Sequence, residues 1–297
     1  PPFDSTAIGL AHNQISKKLV DLPYWNGGRN HVILLYEDQS LESLLETAGG
    51  NFGFAILLSS SSIPSYRLRT RFDLAIPLIR GDCSLLSYLH NEERLYPKKY
   101  LASFKGTRYP LIGTVRTRLA RLFRPASPPP SRFLISTKCT NQTNAGASFW
   151  PITNEHLRCR DDELDYESAP SFVDLYHDSE FSLTPRGYGL ATYRILEAMA
   201  AGSIPVVLAD GYSMPFAPEY DFSACILHLP ESLVTTDPYN RLGKILDTIP
   251  TSKKQQRKQK CLALVNLFRS KEKSPQEMSF LHAVRILQIR IYGFYDL

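Results

Sequence analysis

Two short stretches hold the residues that could do chemistry. In residues 181–216, FSLTPRGYGLATYRILEAMAAGSIPVVLADGYSMPF, Arg186 stands beside Gly187 and Gly189, and Arg194 and Glu197 follow three residues apart. A guanidinium grips a phosphate through two parallel bonds, and a carboxylate accepts both hydroxyls of a ribose. The glycines let backbone approach a bound group, and the spacing places Arg194 and Glu197 on one edge of a helix. That inventory suits a nucleotide diphosphate. The pair equally suits a surface contact on a structural helix, and the residues alone leave both readings open. The second stretch is Lys105-Gly106-Thr107-Arg108, two cations around a glycine at the end of an apolar run, a further candidate anion site. Arg116, Arg118, Arg121 and Arg124 follow at helical spacing and read as a mostly solvated face.

The elements that must position these groups are legible from periodicity. Residues 181–185 read as a buried strand, 186–191 as a loop, 192–201 as an amphipathic helix stopped by Gly202, and 204–209 as a second strand. Strand, helix and strand within about thirty residues make a βαβ unit, whose loop opens at the carboxyl edge of a parallel sheet, where such folds bind ligands. A helix starting near Thr192 adds unpaired N–H groups and a positive dipole end.

Upstream, residues 5–21 have helical periodicity, Asn26-Gly27-Gly28 marks a turn, and 31–36 and 52–58 read as strands around a helix at 41–48. A strand at 72–78 contains Pro77, and 81–97 reads as a connection between domains. Strands are expected at 100–104, 133–137 and 224–229, and helices at 241–247, from Thr251 or Ser252 onwards, and at 276–291. In the last helix Phe280, Val284, Leu287 and Ile291 are expected inward, and the basic run at 253–260 reads as a solvated face.

At 297 residues, 43% apolar and 21% charged, the chain is long enough for two α/β domains with real cores. Its net charge of +5 suits an anionic substrate and does not single out nucleic acid. No apolar run reaches the eighteen or so residues of a membrane helix, and the first residues lack a basic-then-apolar leader. The five cysteines show no metal-ligand spacing, and there is no Asp-x-Asp of the kind that holds a divalent ion beside a diphosphate. Cationic side chains and a helix dipole are therefore expected to stabilise the leaving group, with no metal and no cofactor.

The Pro-Arg-Gly turn and the run YRILEAMAAGSIPVVLADGYSMPF resemble the signature of the exostosin family of glycosyltransferases, of the glycosyltransferase family 47 type. The resemblance extends to PYWNGGRNHVILLY, RFDLAIPL, YLASFKGTRYP and the final helix. It implies an α/β fold of two Rossmann-like domains facing a cleft, GT-B type, with residues 1–97 as an acceptor-side domain, 98–275 as the UDP-sugar domain, and 276–297 as a helix packing back across the cleft. It also implies that the sequence opens inside a truncated N-terminal domain, with a membrane anchor upstream and residence in the Golgi lumen.

By the same resemblance Lys105, Arg108, Arg118, Arg186, Gly187, Tyr188, Arg194 and Glu197 are expected to bind the UDP-sugar. Trp25, Arg29 and Asn30 are expected on the acceptor side. His31 is a candidate base, against the reading that it only closes the turn before its strand. A Cys139–Cys159 bridge and a glycan on Asn141 are implied in the polar insertion. The implied reaction is inverting, metal-independent transfer of glucuronic acid from UDP to a growing glycan such as heparan sulfate, by a chain that pairs with itself or with another exostosin-like subunit. Heparan-type members carry two arginines after the Pro-Arg-Gly, where this chain has Tyr188 and Gly189. That departure leaves open another sugar, a catalytically weak partner subunit, or a polyanion-binding protein.

Overall fold

The computed structural model describes residues 21, 23–36, 52–60, 68–79, 98–108, 114–122, 132–139, 166–187, 189–234 and 238–292. Among these, two all-parallel sheets carry the fold, as the α/β, GT-B-type expectation requires. The smaller has the order β1-β2-β3, with β1 at Val32–Leu35, β2 at Ile56–Ser59 and β3 at Leu74–Ala75. The strand expected at 72–78 shrinks to two residues, because Pro77 brings no N–H to the ladder. Asp73 is structural: buried, it accepts from the Leu57 and Arg69 backbone N–H groups and pairs with the Arg69 guanidinium at 2.7 Å.

The larger sheet has the order β5-β4-β6-β7-β8. Its strands are β4 (Tyr100–Arg108), β5 (Phe133–Cys139), β6 (Ser179–Pro185), β7 (Ile204–Leu208) and β8 (Leu227–Leu229). The helices are α1 (Thr114–Leu122), α2 (Phe172–Asp178), α3 (Arg194–Ala200), α4 (Pro238–Thr248), α5 (Thr251–Val265) and α6 (Pro275–Tyr292). Chain progression reverses between β4 and β6. That reversal makes their carboxyl ends the switch point, the place where doubly wound sheets take ligands.

Two cores flank this sheet. Val115, Leu119, Leu242 and Leu246 pack α1 and α4 on one side with Phe104, Phe133 and Val206. On the other, residues of α3, α5 and α6 share a single core with Leu58 and Leu74 of the small sheet. The sheets are joined further by the Phe216 N–H on Ala75 O at 2.7 Å, and by Arg290, which pairs with Glu219 at 2.7 Å and donates to Asp73 O.

Several expectations change. β4 continues through Lys105-Gly106-Thr107-Arg108, each residue in register with β5, so this stretch is ladder and not an anion-binding turn. Pro250, not Thr251 or Ser252, sits at the α5 N-cap, and its carbonyl receives the Lys253 and Lys254 N–H groups. The basic run on α5 is not uniformly solvated. Lys258 is buried against Glu180 at 3.1 Å, and Arg257 donates to the carbonyls of Ser223 and Ile226. α6 buries Ser279, Ala283, Ile286 and Leu287, leaving Phe280 and Ile291 48% and 61% exposed. A disulfide joins Cys225 to Cys261 across 36 residues, both fully buried, a pairing the sequence did not single out. By loop length it stabilises the fold by about 3–4 kcal/mol. Cys159 and Asn141 lie outside the described residues.

Candidate functional site

The site is built where β4 and β6 end. All seven residues of β6 are buried, between β4 and β7, and the ladder runs one step past the strand through the Arg186 N–H on Leu208 O at 3.1 Å. The chain then turns at Gly187, which is buried, with Arg116 packed against it. A Cβ on Gly187 would lie 2.9 Å from Arg116 Nη2. Arg116 donates to Thr107 O at 3.0 Å and to Pro185 O at 3.3 and 3.4 Å, stitching the ends of β4 and β6 together. Arg118, the residue expected from the sequence, is exposed on α1. Val115 and Leu119 define the buried stripe of α1, and Arg116 and Arg118 border it on opposite sides. The sequence does not say which border meets the sheet.

Lys105 is buried on β4 and donates to Ala169 O and Pro170 O at 3.0 and 3.1 Å. Its ammonium also lies 4.7 Å above the Tyr166 ring, which Lys138 approaches at 4.9 Å. Arg194, the first residue of α3, donates from Nε to Lys105 O at 3.1 Å and lies between the rings of Phe104 and Phe172, 5.7 and 5.3 Å away. Gly106 makes that path possible, since a Cβ there would be 2.7 Å from Phe104 and 3.0 Å from Arg194 Nη2. Its role is clearance within a strand. Arg108 is buried at the end of β4. Among the described residues, neither Lys105 nor Arg194 has a carboxylate within ion-pair distance. Aromatic faces and carbonyl oxygens hold both cations, contacts that leave their positive charge in place.

Glu197, one turn along α3, is buried and accepts a bond from the Tyr176 hydroxyl at 2.9 Å. Arg186 is paired with Glu231 at 2.8 Å. Glu231 Oε1 in turn accepts from the Asp210 N–H, and Asp210 Oδ1 from the Glu231 N–H, so this charge braces the loops after β7 and β8. Tyr188 lies outside the described residues, and Gly189 beside it is buried. With only seven residues, α3 begins two positions later than the sequence suggests, and the side chains carry the site in place of a helix dipole.

The residues expected on the acceptor side gather elsewhere. Trp25, Arg29, Asn30 and His31 precede β1, at the amino end of the small sheet. Trp25 is part of a core with Leu35, Phe52 and Leu57, Arg29 lies 4.6 Å from the Phe54 ring, and His31 Nδ1 is 2.8 Å from Arg29 O. The carboxyl end of the small sheet is what meets α3: Pro77 and Leu78 enclose a small pocket with Ala191, Thr192 and Ile195. There Tyr36 exchanges hydrogen bonds with the N–H and C=O of Ile79, and burial pushes its hydroxyl up to about 12.

The exostosin GT47 domain matches residues 4–246. Exostosin-1 of Drosophila melanogaster is 32% identical over 242 residues, covering 79% of this chain and 30% of that protein. Exostosin-1b of Danio rerio is 29% identical over 243 residues, 79% of this chain and 31% of the relative. Exostosin-1 of Mus musculus is 29% identical over 222 residues, with 72% and 28% covered. The chain thus spans about three tenths of the length of these relatives. A solved glycotransferase of kitacinnamycin covers 92% of this chain and 65% of its own at 9% identity and a TM-score of 0.35, too low to bear on the fold.

Proposed function

Since the chain belongs to the exostosin GT47 family, we propose that it transfers a sugar, glucuronic acid before others, from a UDP-sugar to a growing glycan such as heparan sulfate, with inversion and without a metal. The observation that carries the reading is the convergence of Lys105 and Arg194, uncancelled by any described carboxylate, with Gly187 at the switch point between β4 and β6. In the reaction the acceptor hydroxyl oxygen attacks the anomeric carbon, the bond from that carbon to the diphosphate oxygen breaks, and a base takes the hydroxyl proton. Lys105 and Arg194, with Arg108 alongside, meet the charge that grows on the departing UDP. Arg116 ties together the ends of β4 and β6, Arg186 braces the neighbouring loops through Glu231, and Glu197 accepts the ribose hydroxyls.

The reading assigns residues 98–275 to the donor and 1–97 to the acceptor. The Arg290 bridge from α6 to Asp73 and Glu219 supports a final helix that ties the two together. The buried Cys225–Cys261 disulfide supports folding in an oxidising lumen such as the Golgi. No helix among the described residues is long and apolar enough to cross a membrane.

The test is calorimetric titration of UDP into the full chain, with and without EDTA, followed by Arg194→Met and Glu197→Gln. Binding that EDTA leaves unchanged and that each substitution weakens about tenfold or more supports the reading. A folded parent that binds no UDP sinks it. UDP binding without turnover of any UDP-sugar on a glycan acceptor would turn the reading to a non-catalytic partner subunit.

A further inference from the structure

Glu197 shares its buried space with a second polar side chain. Tyr176 on α2 is itself buried and donates to Glu197 Oε2 at 2.9 Å. α2 leads into β6 and α3 leaves it, so both helices run from the carboxyl edge of the sheet towards its amino edge and their contacts come in rungs. Phe172 meets the Arg194 guanidinium at 5.3 Å, and one turn further Tyr176 meets Glu197. Ala198 and Ala201 pack with Tyr176 and Phe172, small residues that leave room for the phenol ring. The upper rung belongs to the diphosphate in the proposed donor site, and the lower rung is the next along the same two helices.

We propose that Tyr176 is a positioning residue for nucleotide recognition: its hydroxyl holds the Glu197 carboxylate in the orientation that accepts the ribose hydroxyls. This rests on the donor-site reading. An ionised carboxylate offers about four acceptor positions, of which Tyr176 uses one and a ribose diol two, so ligand and tyrosine can be bound together. A buried carboxylate oxygen without a donor is costly and free to rotate away from the ligand. A phenol held in place by packing supplies the donor and leaves the other oxygen ready, so less ordering is needed when the nucleotide arrives. Tyr176 touches no reacting atom and acts through Glu197.

The experiment compares UDP with 2′,3′-dideoxy-UDP, which lacks both ribose hydroxyls, on the full chain and on Tyr176→Phe, which keeps the ring. The parent should prefer UDP. Tyr176→Phe should weaken UDP about tenfold and 2′,3′-dideoxy-UDP by no more than about twofold, collapsing the preference. Equal weakening of both nucleotides would mean a purely structural tyrosine and overturn the proposal. Tighter UDP binding would mean that the hydroxyl competes with the ribose, and would overturn it too. A parent that binds neither nucleotide fails the donor-site reading itself, a result visible before any variant is made. Should Tyr176→Phe melt early, the nucleotide preference of Tyr176→Gln, which restores a donor at shorter reach, decides: an intact preference together with loss in the phenylalanine variant supports the role, and loss in both overturns it.

Discussion

Gly187→Ala tests the site through a residue that contributes no functional group. The new Cβ would lie 2.9 Å from Arg116 Nη2 and 3.4 Å from its Cζ. Ordinary contact requires the guanidinium to retreat by about 0.6 Å. Its bonds to Pro185 O, at 3.3 and 3.4 Å, are already near their limit and are the ones such a retreat breaks, whereas the 3.0 Å bond to Thr107 O survives. Losing a charged donor at a buried carbonyl costs about 1.5–3 kcal/mol, equivalent to about 10- to 150-fold in UDP affinity if the turn is needed only in the bound form. The assay is UDP calorimetry and thermal melting of Gly187→Ala, Arg116→Met and the double variant. If the effect passes through Arg116, Gly187→Ala is nearly silent in the Arg116→Met background. UDP binding within twofold of the parent in Gly187→Ala, or an equal loss in both backgrounds, refutes the reasoning.

The parts of the site that rest on chain-local pattern are legible in the sequence; those that rest on which helix face meets which strand are not. β6, α3 and β7 are readable because an apolar run, a helical period and a second apolar run follow within one crossover, and Pro77 marks the end of β3. α2 carries a signal that apolar periodicity passes over: Ser171 accepts the Asp174 N–H, a capping pattern of Ser followed three residues later by an acid. Lys258 falls on the stripe of Cys261 and Val265, at spacings of three and four, so its burial follows once α5 is known to dock by that face. On α6 several faces are apolar, and periodicity cannot choose among them. Packing selects the one with Ser279 and Ala283, which allow close approach beside Phe216 and Leu58. The Tyr176–Glu197 bond joins two helices across a strand, and nothing in either segment announces it.

Two further predictions concern the amino edge of the large sheet, where charge is buried away from the site. Lys258→Met leaves the Glu180 carboxylate buried without its cation and should cost about 3–5 kcal/mol in urea unfolding, whereas adding Glu180→Gln should restore most of that loss; a double variant as unstable as the single one refutes the pairing. Lys98 lies beside this pair, and burial, helped by the Lys258 charge and opposed by Glu180 and Asp178, pulls its ammonium down to about 8 from 10.5. The folded chain therefore binds fewer protons at Lys98 than the unfolded chain between about pH 8 and 10.5, and stability must rise with pH across that window. Lys98 is only partly buried, so solvent screening holds the gain to about 1–2 kcal/mol. Measured as the stability of the parent minus that of Lys98→Met at pH 7.5 and at pH 10, the difference should grow in the parent's favour. A flat or falling difference would show that Lys98 keeps its charge in the fold, held by Glu180 and Asp178 in spite of its burial.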